Sequence, residues 1–237
     1  MTEILTDKQK NLLDRIKHEG HKIGHLLGYT DLTEFHSKLI NEIVCGKESA
    51  SYCIHRCAYT SSTICLGIAL HILTRPNSRI LLVTETDNNA KDKLAIIEHI
   101  LKSDTFQAFS NIIYEHGFEV KLGDWGYLET TLGTNIVKTQ LRVMSINDSL
   151  AGMHEKDLYI VDNLISIRDR LSKATKNLKT DIISEIQKFN GRSLIFGSTW
   201  EYDDFYSTLD NVIDVAKKQD TEEIKSKKNV NGFNRTK

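Results

Sequence analysis

The spacing of apolar residues changes its rhythm along this chain, and each change marks a different kind of element. Between residues 3 and 27, Ile4, Leu5, Leu12, Leu13, Ile16, Ile23 and Leu27 recur largely at helical spacing and predict a helix. Gly20 and Gly24 weaken its second half, and Gly28-Tyr29 ends it. The stretch Thr30-Asp31-Leu32-Thr33-Glu34 then offers an N-cap followed by an acid, opening a second helix that runs to Val44. Residues 51–55 read as a short strand and 61–73 as a helix, broken at Thr74-Arg75-Pro76-Asn77. Residues 79–84 hold a continuous apolar run, the mark of a strand buried on both faces in a parallel sheet. A helix over 88–101 follows, then a looser region with Phe106, Phe109 and Tyr114, then a hairpin within 117–143. Residues 157–162 form a second buried strand ending in an acid, 169–189 a helix, and 192–197 a third buried strand.

Strand–helix–strand alternation predicts a three-layer α/β sandwich with a mainly parallel central sheet and an N-terminal helical segment. The expected organisation is a helical segment over 1–46, an α/β domain over 47–216, and a polar tail over 217–237 with almost nothing to bury.

Composition narrows the function classes. Hydrophobic residues make up 40% and charged residues 27% of the chain, the balance of a globular protein and not of a disordered one. Thirty-one Lys plus Arg against 32 Asp plus Glu leave a net charge of −1, which argues against wrapping nucleic acid by bulk charge. A local basic cluster, Lys225, Lys227 and Lys228, stands in the tail. The longest apolar runs, 64–73 and 80–83, fall short of the roughly 20 residues that span a bilayer. With a charged N-terminus in addition, the expectation is a cytoplasmic protein with no membrane partner. Cys45, Cys53, Cys57 and Cys65 crowd one region. Cys53, His55 and Cys57 would share one face of a strand, but no C-x-x-C knuckle accompanies them, and buried reduced thiols are expected in preference to zinc.

In sheets of this kind, ligands bind beyond the carboxyl ends of the strands. His55-Arg56-Cys57-Ala58-Tyr59-Thr60-Ser61-Ser62 joins the end of a strand to a helix, the place of a phosphate-binding loop. Asp162 ends a later strand, the place of a Mg²⁺-holding acid in a nucleotide hydrolase. These pieces, together with residues 27–36, 74–86, Leu150-Ala-Gly-Met-His154 and Gly197-Ser-Thr-Trp200, are collinear over roughly residues 25–210. In that order they resemble the ATPase domain of the large terminase subunit of tailed bacteriophages, a DNA-packaging motor. The resemblance implies a P-loop NTPase-like fold, with ATP and Mg²⁺ as cofactors if the site is active. The partners it implies are the portal, the small terminase subunit or a full-length large terminase, and double-stranded DNA.

Carried over residue by residue, the resemblance gives Arg56, Thr60, Ser61 and Ser62 to nucleotide binding, Asp162 to Mg²⁺, and Gly197 with Ser198 to coupling. The departures fall on the chemistry. Cys57 stands at a glycine position, where side chains would obstruct a turn of inward-facing N–H groups. Thr60 stands where the family carries lysine, and Asn163, which accepts no proton, stands where it carries the water-activating carboxylate. Two departures in two motifs favour loss of ATP hydrolysis and an interaction role. The alternative is a divergent packaging ATPase working with a separate nuclease, because no ribonuclease H-like domain is expected in the short stretch after residue 210. Asp203, Asp204, Asp210 and Asp214 read as solvated residues or caps, and Arg168, Arg170, His154, Trp125 and Trp200 as surface or packing residues.

Overall fold

A computed structural model describes residues 5–54, 59–133, 137–164, 173–197 and 212–214. Three helices come first, α1 (Asp7–His18), α2 (Gly20–Leu26) and α3 (Glu34–Cys45). The single helix expected over 3–27 is therefore two, broken at Glu19, where the backbone leaves helical geometry (φ −125°, ψ 33°). Thr6 caps α1 in a capping box with Gln9, and Thr33 opens α3 in the same manner with His36. Strand β1 (Ala50–Cys53) leads to α4 (Thr60–Thr74), then β2 (Arg79–Thr84), α5 (Asp87–Lys102) and α6 (Asp104–Tyr114).

The region expected to be loose after residue 102 is thus helical. Ser103 caps it through the Phe106 N–H, and Phe106, Phe109 and Ile113 line its buried face. The expected hairpin is three strands, β3 (Phe118–Leu122), β4 (Tyr127–Leu132) and β5 (Val137–Ser145), paired antiparallel in sequence. Next come β6 (Leu158–Asp162), α7 (Lys173–Ile186) and β7 (Arg192–Gly197), and then the short β8 (Val212–Asp214), which the sequence reading does not anticipate.

The eight strands among the described residues form one sheet in the order β3-β4-β5-β2-β6-β7-β1-β8. From β5 onward every neighbouring pair is parallel, and β2 and β6 lie side by side with Ile80 opposite Leu158 and Thr84 opposite Asp162. Side chains alternate between two apolar layers, as the period of two in a strand requires. Ile80, Leu82, Leu141, Ile160, Leu194 and Phe196 face the layer of α1 to α6. Leu81, Val83, Met144, Tyr159, Val161 and Ile195 face Ile183 and Ile186 of α7. The architecture is a three-layer α/β sandwich with a mainly parallel central sheet, its N-terminal helices stacked outside α4.

Helix α4 explains how those outer helices are held. Every residue from Thr63 to Leu73 is buried, because the sheet covers one side of the helix and α3 the other. Arg192, at the start of β7, donates to the Glu42 and Ile43 carbonyls at 2.8 and 2.6 Å, closing the last turn of α3 against the sheet. One residue earlier, Gly191 lies against the start of β6. A Cβ there would sit 2.0 Å from the Lys156 carbonyl oxygen and 2.6 Å from the Tyr159 ring. Backbone cannot yield cheaply, so Gly191→Ala is expected to cost about 1–3 kcal/mol, toward the upper end, read as a lowered urea midpoint.

Candidate functional site

The carboxyl ends of β1, β7, β6 and β2 lie side by side, and α4 begins beside them. This is a switch point of the sheet. The chain leaves β1, crosses β7 and β6 to reach β2, and returns to fill those two positions later. Residues 55–58, including Arg56 and Cys57, lie outside the described residues, as do Ser198, Trp200, Arg168, Arg170, Asp203, Asp204 and Asp210.

Tyr59 precedes α4 with φ 48° and ψ 29°, left-handed geometry that glycine adopts without strain and a tyrosine does not. Its ring is exposed, and its carbonyl accepts from the Thr63 N–H and hydroxyl at 3.0 and 2.9 Å. Thr60 and Ser62 are half-buried on the first turn of α4, and Ser61 between them is exposed. The Ser61 hydroxyl donates to Asp162 Oδ2 at 3.1 Å. Asp162 is 4% exposed at the end of β6, so the hydroxyl at the start of α4 and the strand-end acid meet.

A third group joins them that the sequence reading does not single out. Lys93, from α5, places Nζ 2.5 Å from Asp162 Oδ2 and donates to Ser61 Oγ at 2.9 Å. Its side chain is 10% exposed and that of Asp162 only 3%, so this is a buried ion pair with a hydroxyl attached. The sequence does hold a signal for it. The buried stripe of α5 is Ala90, Lys93, Ile97, Ile100 and Leu101, and a lysine on an apolar stripe needs a partner. Helix α7 repeats the pattern on the opposite face of the sheet. There Lys179, 5% exposed at its side chain and in line with Ile183 and Ile186, reaches Glu85 just beyond β2 at 2.8 Å.

The surroundings are firm. Thr84, opposite Asp162, is fully buried and donates to the Thr86 carbonyl at 3.1 Å. Cys65 lies one turn of α4 inward, its thiol 3.9 Å from the Lys93 carbonyl, and burial pushes it up to about 12. Cys53 is buried too, and the Cys65 thiol is not a reactive thiolate at neutral pH. Asn163, exposed and at φ 50°, donates its backbone N–H to the Phe196 carbonyl at 2.8 Å. Gly197 ends β7 opposite Cys53, and its carbonyl accepts from the Ile54 N–H at 2.8 Å. His154 packs edge-on against the Phe189 ring, 4.6 Å between centroids.

Ser61 and Asp162 are oxygen donors of the kind Mg²⁺ takes. The Lys93 ammonium already sits against both, so the residues present do not fit a divalent cation alongside it. Among the described residues there is no group of three His, Cys, Asp or Glu side chains arranged to hold a metal ion. No helix among them is long and apolar enough to cross a membrane.

No protein-family model matches the sequence, and a search of curated proteins finds no match. Among solved structures, the chain is similar to the large terminase ATPase domain of Thermus phage P74-26, at 14% identity and a TM-score of 0.43, covering 67% of this chain and 62% of that one. It is also similar to the large terminase of bacteriophage HK97, at 14% identity and a TM-score of 0.44, covering 83% of this chain and 37% of that one. A large terminase from a thermophilic bacteriophage, solved in complex with ADP, matches at 13% identity and a TM-score of 0.46, covering 75% of this chain and 44% of that one. The chain thus spans 62% of the length of that ATPase-domain chain and 37% and 44% of the two large terminases.

Proposed function

We propose that this chain is a terminase-like module that has lost ATP hydrolysis and serves DNA packaging through its surface, docking on the portal, the small terminase subunit or a full-length large terminase. The observation that supports it is the Lys93–Asp162–Ser61 cluster, in which an ammonium group engages the acid and the hydroxyl that the resemblance gives to Mg²⁺. Asn163 adds to it, since the position after that acid carries no proton acceptor. Asn163 offers no proton acceptor to an attacking water and Lys93 holds the acid expected to take Mg²⁺, and both support a loss of hydrolysis.

One observation favours the active alternative: Lys93 brings to Ser61 the positive charge that Thr60 lacks. Phosphate release from ATP·Mg²⁺ separates the two readings. The non-catalytic module gives a rate indistinguishable from buffer. Turnover on the order of 1 s⁻¹ or faster, abolished by Asp162→Asn, would establish the packaging ATPase instead.

A further inference from the structure

We infer that Lys93 is a built-in cation, its ammonium standing in the place of a divalent metal so that this corner of the sheet is metal-independent; this deepens the reading of the site given above. The geometry comes from three contacts that close on one another. Ser61 Oγ and Asp162 Oδ2 are 3.1 Å apart, and Lys93 Nζ lies 2.9 Å from the first and 2.5 Å from the second. Two adjacent ligands of an octahedral Mg²⁺, each bound at about 2.1 Å, lie about 3 Å apart. The oxygen pair thus keeps the spacing of a metal-binding edge, and the ammonium caps that edge.

The lysine is held there by its helix. Ala90, Ile97, Ile100 and Leu101 pack α5 into the core on either side of Lys93, and the Lys93 carbonyl lies against the Cys65 thiol. A lysine carried on such a helix is a fixed charge, unlike the long mobile side chain of a surface lysine. An ammonium has three N–H donors. Ser61 and Asp162 take two of them among the described residues, and the third can meet a phosphate-type oxyanion entering past the exposed Ser61. Such a group would meet a lysine at the position where a nucleotide hydrolase presents a metal ion.

The test is an electron paramagnetic resonance titration with Mn²⁺ alone, no nucleotide present, on the wild-type chain, Lys93→Ala, Lys93→Gln and Lys93→Ala/Asp162→Asn. Lys93→Gln keeps a donor for both oxygens and guards against loss of the fold, which circular dichroism checks. The expected result is that wild type binds Mn²⁺ at least 10-fold more weakly than the two single variants, and that Asp162→Asn removes the gain. Wild-type binding as tight as that of the single variants, and lost in Lys93→Ala/Asp162→Asn, overturns the inference, because Lys93 then gives way to metal. Folded single variants that do not gain Mn²⁺ binding overturn it as well, because the oxygen pair is then no metal edge. Neither outcome depends on phosphate release, so the inference and the proposed function fail separately.

Discussion

Asp162→Ala is expected to lower the stability of this chain by about 3–5 kcal/mol, the largest effect of any single polar substitution considered. The reason is what remains. With Asp162 gone, the Lys93 ammonium keeps a single hydroxyl partner in a site where its side chain is 10% exposed. A charge in low dielectric without its counter-ion either stays at a cost or gives up its proton. The paired replacement Lys93→Met with Asp162→Leu removes both charges and is expected to recover most of the loss, since a buried ion pair contributes little beyond an apolar pair of similar volume. Urea midpoints of the wild type, the single variant and the double variant decide it. If the double variant is no more stable than Asp162→Ala, the pair is not the buried, mutually compensating unit that the distances describe.

The second large effect is a loss of stability in mild acid, centred on His71. The ring is 2% exposed within α4, and its Nδ1 lies 3.0 Å from the Ile43 carbonyl. That carbonyl can only accept, so Nδ1 carries the proton of the neutral ring, and Nε2 has no partner among the described residues. Burial, chiefly, pushes His71 down to about 4, with Arg75 and Arg192 adding to the shift and the Ile43 carbonyl and Asp157 opposing it. The unfolded chain takes up a proton at this residue below about pH 6.5, while the folded chain refuses it until about pH 4.

The stabilisation held above pH 6.5 is therefore lost as the pH falls through that window. The slope is at most about 1.4 kcal/mol per pH unit, and the total approaches roughly 3 kcal/mol. His71→Gln, which keeps a donor for the Ile43 carbonyl but does not titrate, is expected to flatten that slope between pH 6.5 and 4.5. Urea midpoints measured at several pH values would test this, and parallel profiles for the two proteins would place the acid sensitivity elsewhere.

How much of this was legible beforehand depends on where the causal contacts lie. Strands β2, β6 and β7 announce themselves because both faces are covered, so their apolar runs are uninterrupted. Helix α4 reads as helix for a related reason: it has no polar face to lose. Helix α6 was hidden by its short length and by the polar residues interleaved with Phe106, Phe109 and Ile113, although those three keep helical spacing. Strand β8, a Val-Ile-Asp tripeptide, exists through its pairing with β1 and leaves no periodicity to find.

The site was legible in half. Ser61 and Asp162 could be paired from their places at a helix start and a strand end, and the structure brings them together. Lys93 could not be assigned to them, because it arrives from another helix and nothing in the sequence around Ser61 or Asp162 points to α5. Only the break in the apolar stripe of α5 hinted that a buried partner existed. Tyr59 is a third case. Its ring is exposed and the constraint falls on its backbone, in left-handed geometry that no local sequence pattern announces.

The position of β1 sets a timetable for synthesis. It is flanked by β7 on one side and β8 on the other, and the contact from Ser49 to Ser193 spans 144 residues. At about 5–20 residues per second, a ribosome needs roughly 7–30 s between making the two. Over that interval the β1 edge that β7 and β8 will cover has no strand to pair with, while β2, α5, α6 and the β3–β5 meander can already assemble from contacts close in sequence. The candidate site cannot exist before β6 is made, and its floor closes only when β7 slides between β6 and β1. A nascent chain of this protein therefore exposes an unpaired strand edge next to the unfinished site until its last third has emerged.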